Sequence, residues 1–135
     1  AAMALSENPT SRIILPGGEL RLPDRDFLGP AAHELFANYR ADFGIFGVGG
    51  IDDDGSLLDF FEPEVRAREL IRQNSRTSIL AADRSKFGRR AAAVGGSLHE
   101  ADRIVLDRYP DDTHAGLLEP VCEKLTLADT TGGAA

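Results

Sequence analysis

A single cysteine, Cys122, stands in the 135 residues, so no internal disulfide framework is possible. The thiol reads as a small buried hydrophobe in a reducing compartment. No apolar run approaches the ~18 residues of a membrane span, and no charged stretch precedes an apolar one at the N-terminus, so neither a membrane helix nor a signal peptide is expected. Positive charge is also short: 15 Lys+Arg against 22 Asp+Glu leave a formal charge of −7, spread along the chain rather than gathered on a basic face. Non-specific DNA binding depends on neutralising phosphates, so this polypeptide alone is a poor candidate for it. Walker, Rossmann, GxSxG and paired-cysteine motifs are absent. His33, His99 and His114 show no ligand spacing such as HExxH, and none lies near the loops discussed below. These absences leave one cytoplasmic domain for which no metal and no cofactor is expected.

What is present alternates short apolar runs with amphipathic stretches. Ile13–Leu15, before a Pro-Gly-Gly breaker, reads as a buried strand leaving a sheet. In GPAAHELFANYR, Ala32, Leu35, Phe36 and Tyr39 form one helical stripe. Residues 43–48 are apolar or glycine throughout, as in a strand covered on both faces. In EPEVRARELIRQNS, Pro63 suits a first helical turn and Ala67, Leu70 and Ile71 share a face, while Arg66 and Arg68 read as a solvated face. SILAAD and RIVLD are further buried strands, and HAGLLEPVCEKL followed by LTLAD reads as a helix and a last strand. Strands alternating with helices predict an α/β domain with a parallel sheet in three layers. The opening AAMALSENP has the composition of a helix's last turns with Pro9 as a stop, as in a piece cut from a longer chain, and residues 130–135 read as a flexible tail after a domain ending at Asp129.

Ligands of such sheets bind outside the carboxyl ends of the strands, where GGIDDDG and DRSKFG should open on the same edge together with the first turn of the Glu64 helix. Gly49 and Gly50 would let backbone approach a ligand, and Asp52 would accept from its hydroxyls. Equally, the loop is a plain turn with solvated carboxylates, Asp53 and Asp54 among them. Its spacing does not match a calcium loop closed by a glutamate. Lys86 is either solvated or meets a ligand phosphate, and Asp83 either orients it or caps the turn. Glu64 is either a first-turn carboxylate favoured by the helix dipole or an acceptor or base at the loop edge.

Read together, ILPGGELR, FLGP, RADFGIFGVGGIDDDGSLLDF, EPEVRARELIRQNSR, ILAADRSKFGR and ADRIVLD resemble the C-terminal sensor domain of DeoR-family transcriptional repressors from about Ser11 to Asp129. The resemblance implies a fold like that of sugar-phosphate isomerases and a non-catalytic domain that binds a phosphorylated sugar or polyol. The DFGIFGVGGID, EVRARELIRQNSR and DRSKFGR stretches point to the branch that responds to glycerol 3-phosphate. It places Gly49, Gly50, Ile51, Asp52, Glu64 and Lys86 in the effector pocket, with Asp83 and Ser85 supporting the lysine. It further implies a winged helix and a first sensor strand upstream of residue 1, operator DNA contacted only through that winged helix, and a homo-oligomer. Two other readings stay open at this point: an isomerase-like enzyme using Glu64 and Lys86, and a dimerisation module with a vestigial pocket.

Overall fold

A computed structural model describes residues 1–128, so the expected tail and the expected domain end at Asp129 lie outside the described residues. In chain order come helices α1 (Ala2–Leu5) and α2 (Pro30–Asn38), strands β1 (Ala41–Phe46), β2 (Gly50–Ile51) and β3 (Ser56–Asp59), and helix α3 (Glu62–Gln73). Strands β4 (Ser75–Ala82), β5 (Ala93–Ser97) and β6 (Arg103–Leu106), helix α4 (Asp112–Ala115) and strand β7 (Leu125–Leu127) complete it. The parallel sheet runs in the order β1-β4-β6-β7, which is the expected α/β class with a central parallel sheet. A second, antiparallel sheet, β2-β3-β5, was not foreshadowed. Its hairpin lies inside the loop that interrupts the first α/β unit, between β1 and α3.

The register explains where the core sits. Phe46, Leu80, Ile104 and Leu125 align across the four strands, and the first three are buried together with Ile51, Leu57, Phe87 and Leu98 of the smaller sheet and its neighbours. Side chains alternate along a strand, so their neighbours point the other way. On that side Phe43 and Ile45 are 63% and 65% exposed, so β1 is covered on one face only, against the expectation of two. Ser78 ties β4 to the loop before β6, its backbone N–H and hydroxyl both donating to one carboxylate oxygen of Asp102 at 2.8 and 3.1 Å.

Three further expectations are corrected. Ile13–Leu15 is no strand: it finds no ladder among the described residues, and Ile14 and Leu15 are exposed. β-branched composition favours extended backbone, but a strand needs a neighbour to take its N–H and C=O groups. The expected C-terminal helix breaks after α4, and Pro120 opens a separate 3₁₀ segment, Glu119–Lys124, because proline suits a first turn and not a helix interior. Cys122 sits exposed on that segment instead of buried.

One pair of variants contrasts the covered interior of the sheet at β6 with the open face of β1. Ile104→Ala, at a position with 0% exposure, should cost about 2–5 kcal/mol in urea unfolding, whereas Ile45→Ala should change stability by less than about 0.5 kcal/mol.

Candidate functional site

The carboxyl ends of β1 and β4, the first turns of α3 and the segment before α2 enclose a cleft of about 570 Å³. Gly49, Glu64 and Lys86 of the expected set line it. Its floor is a charge pair. Arg68, 3% exposed, donates from Nε to Asp59 Oδ2 at 2.7 Å and from its terminal nitrogens to the carbonyls of Gly95 and Leu57, while Asp59 Oδ1 accepts from the Gly49 N–H at 2.8 Å. The expectation of a solvated Arg68 is therefore overturned: its helix face meets the antiparallel sheet, whose carbonyls need donors. Burial pushes the Asp59 carboxyl up from its ordinary range, and the Arg68 and Gly49 donors pull against that rise.

One wall comes from the segment before α2, which carries none of the expected site residues. Arg21 and Asp26 pair as a short antiparallel bridge, and Arg21 Nη2 reaches Asp24 at 3.2 Å, Asp26 at 2.9 Å and Glu64 at 2.8 Å. Its guanidinium supplies the positive charge that the three clustered carboxylates share. Bonds from Asp26 and then Glu64 hold Arg21 even further above neutrality, and Arg21 in turn holds the Asp26 carboxyl below the usual carboxylate range. The other oxygen of Glu64 accepts from the N–H groups of Phe60 and Phe61 at 3.1 and 3.3 Å, which caps α3. Glu64 thus serves as a helix-end acceptor and as an anchor for the Arg21 segment at once.

The opposite lip is the loop after β4. Asp83 caps a 3₁₀ turn, Arg84–Lys86, by accepting from the Ser85 N–H at 2.8 Å and from its hydroxyl, bonds that hold the Asp83 carboxyl low. Lys86 ends that turn and stands between the cleft and a neighbouring depression that Asp83 lines. Gly50 and Ile51 fix this loop from behind: Ile51, fully buried, bridges Phe87 and its carbonyl accepts from the Gly88 N–H at 2.8 Å. A Cβ on Gly50 would fall 2.0 Å from the Arg89 carbonyl oxygen, so glycine is required there for close approach of two backbones.

Asp52 stands apart. It belongs to the β2–β3 turn, where its N–H donates to the Ser56 carbonyl at 2.9 Å, and the structure does not bring it into the cleft lining. Ser85 lines a third depression, with His114. His114 Nδ1 lies 2.9 Å from Asp111 and Nε2 lies 3.1 Å from Asp53, so a histidine does touch the GGIDDDG loop, contrary to the expectation. Carboxylates only accept, so the protonated ring, with both nitrogens donating, is the form that satisfies both contacts. The bond to Asp111 and then that to Asp53 raise His114 above its ordinary 6.5. Asp54 accepts from the Ser56 N–H at 2.9 Å and is a turn residue, as one reading had it. The cleft residues that sequence reasoning missed are Asp24, Asp26, Asp59 and Arg89, together with Arg21 behind them. The alternation Arg-x-x-Asp-x-Asp from Arg21 to Asp26 was the available signal for the wall.

The DeoR C terminal sensor domain model matches residues 1–108. The chain is 48% identical over 99 residues to the glycerol-3-phosphate regulon repressor of Escherichia coli (strain K12), covering 73% of this chain and 39% of that protein. It is 38% identical over 111 residues to the glycerol-3-phosphate regulon repressor of Haemophilus influenzae, covering 82% and 43%. A third relative, the HTH-type transcriptional repressor CsqR of Escherichia coli, is 31% identical over 109 residues, covering 81% and 42%. The chain therefore spans roughly two fifths of the length of these relatives.

The imidazolium contact carries a pH signature. Because the folded pKa is raised, its stabilisation is present below the unfolded value of 6.5 and is lost as pH rises through the folded pKa. His114→Asn should accordingly cost more stability at about pH 6 than at about pH 8.5 in urea unfolding, and the difference should vanish in an Asp53→Asn, Asp111→Asn background.

Proposed function

The chain belongs to the DeoR C-terminal sensor-domain family, and from that membership we propose that its cleft binds a phosphorylated sugar or polyol, glycerol 3-phosphate first among them, and so controls operator binding by a winged-helix domain elsewhere in the full-length repressor. One observation carries the anion. All four acids in the cleft lining are engaged by guanidinium groups, Asp24, Asp26 and Glu64 by Arg21 and Asp59 by Arg68. Lys86 and Arg89 line the same cleft, and neither forms an ion pair with the described residues. With Arg21 the cleft is formally neutral, four acids against Arg21, Arg68, Lys86 and Arg89, but its two cations without an ion-pair partner sit together on the loop after β4, which suits a phosphate at the Lys86 lip.

The two ends of the ligand then meet different walls. Beyond the lone pairs that Arg21 uses, Asp24 and Asp26 keep others for hydroxyl hydrogens, and Gly49 lines the same cleft. Asp83 and Ser85 hold the turn that carries Lys86, while Gly50 and Ile51 hold the strand behind it. Glu64 orders the wall through Arg21 and α3, and both its oxygens already accept hydrogen bonds in that role, which supports a sensor over an isomerase. Effector binding acts on the operator by shifting the populations of repressor conformations. No described helix is long and apolar enough to cross a membrane, and we place the repressor in the cytoplasm as a homo-oligomer, the exposed apolar side of β1 supporting association.

A thermal-shift panel of glycerol 3-phosphate, fructose 1-phosphate, fructose 6-phosphate and ribose 5-phosphate tests the assignment. Glycerol 3-phosphate at a hundred times its Kd should stabilise the chain by about 2.7 kcal/mol, and a panel without any shift contradicts the sensor reading. In a calorimetric titration Lys86→Ala should weaken binding about tenfold or more while leaving the ligand-free melting midpoint unchanged. Unchanged affinity would remove Lys86 from the site.

A further inference from the structure

Among the described cleft residues, Arg89 has a placement that helix or sheet formation does not explain. Its N–H donates to the Lys86 carbonyl at 3.2 Å, which keeps the two residues on one turn, and its own carbonyl is the atom against which Gly50 has no room for a side chain. The backbone at Arg89 is therefore fixed from two directions. Its guanidinium carbon lies 5.1 Å from the centre of the Phe60 ring, on the cleft side of α3's first turn. Phe60 is in turn held by its N–H bond to Glu64. The aromatic face aims the guanidinium, Arg89 has no ion-pair partner among the described residues, and its planar fork can give two parallel N–H bonds to one phosphate.

We infer that Arg89, aimed by Phe60, is the second cation of the anion subsite and that together with Lys86 it selects a phosphate monoester over singly charged anions. The inference rests on the effector reading above. A monoester carries about −1.5 to −2 charge near neutrality, so it can engage both cations that have no ion-pair partner, whereas a phosphodiester or a carboxylate leaves one of them without a partner. Lys86 supplies a point charge and Arg89 supplies the directional fork. On this account Gly50 and Phe60 are positioning residues: one lets the Arg89 backbone dock, and the other directs its side chain.

Calorimetric titration of the 135-residue chain with glycerol 3-phosphate and with its methyl phosphodiester separates the possibilities. Arg89→Gln should weaken the monoester about ten- to a hundredfold and the diester much less, with an unchanged ligand-free melting midpoint. Arg89→Lys should recover part of the loss, and Phe60→Leu should weaken the monoester in the same direction as Arg89→Gln. Wild-type binding of the monoester with equal affinity in Arg89→Gln, or equal losses for monoester and diester, overturns the role of Arg89 and leaves the sensor reading intact. Failure of the wild-type chain to bind any of the phosphate esters overturns both.

Discussion

The buried pair of Arg68 and Asp59 is the interaction on which the remaining arrangement depends. Through it α3 is joined to β3 by the carboxylate and the Leu57 carbonyl, to β5 by the Gly95 carbonyl, and to the turn after β1 by the Gly49 N–H. Four segments thus meet at one salt bridge, with its partners 3% and 7% exposed. Two charges in such a place are stable only when their remaining hydrogen-bonding capacity is met, and removing one partner of a buried pair typically costs about 3–5 kcal/mol. The pair also fixes the cleft geometrically, because the segments it joins carry Gly49 and Glu64 and flank Phe60.

A second consequence concerns charge. An acidic chain that is to hold an anion must keep its own carboxylates from repelling it, and here each acid of the cleft lining touches a guanidinium, three of them sharing Arg21, while Lys86 and Arg89 bring the cleft to formal neutrality. Arg21 does this for three carboxylates from a segment without helix or strand, and in doing so it pins that segment to the first turn of α3. The apparent conflict between glycines suited to phosphate and the aspartates that follow them is resolved by distance along the hairpin. Gly49 opens on the cleft, Gly50 makes room for the Arg89 backbone, and the aspartates turn away, Asp53 toward His114 and Asp54 toward its own backbone.

Elements with a strong local pattern were legible from sequence. Helix α3 announced itself through Pro63 and the Ala67–Leu70–Ile71 face, the parallel strands through short apolar runs, and Lys86 through its place just past β4. The antiparallel sheet was not, because β2 has two residues and β5 contains two glycines, too short and too weakly β-forming for periodicity to register. Arg68 was misread because charged neighbours on α3 suggest water, and only the tertiary approach of β3 and β5 makes it a core residue. The Arg21–Glu64 bond and the aim of Arg89 are contacts across 43 and 29 residues, beyond the reach of any local pattern. Exposed Cys122 and paired His114 share that cause: the broken C-terminal helix decides which way each one faces.

A crystal structure of the chain with glycerol 3-phosphate tests the central claim most directly. The account predicts phosphate oxygens within hydrogen-bond distance of Lys86 Nζ and the Arg89 guanidinium, the hydroxyl end toward Asp24 and Asp26, and the Arg68–Asp59 pair unmoved beneath. Phosphate bound instead beside His114 and Ser85, or a cleft that admits the ligand only after the Arg68–Asp59 pair has broken, would contradict it.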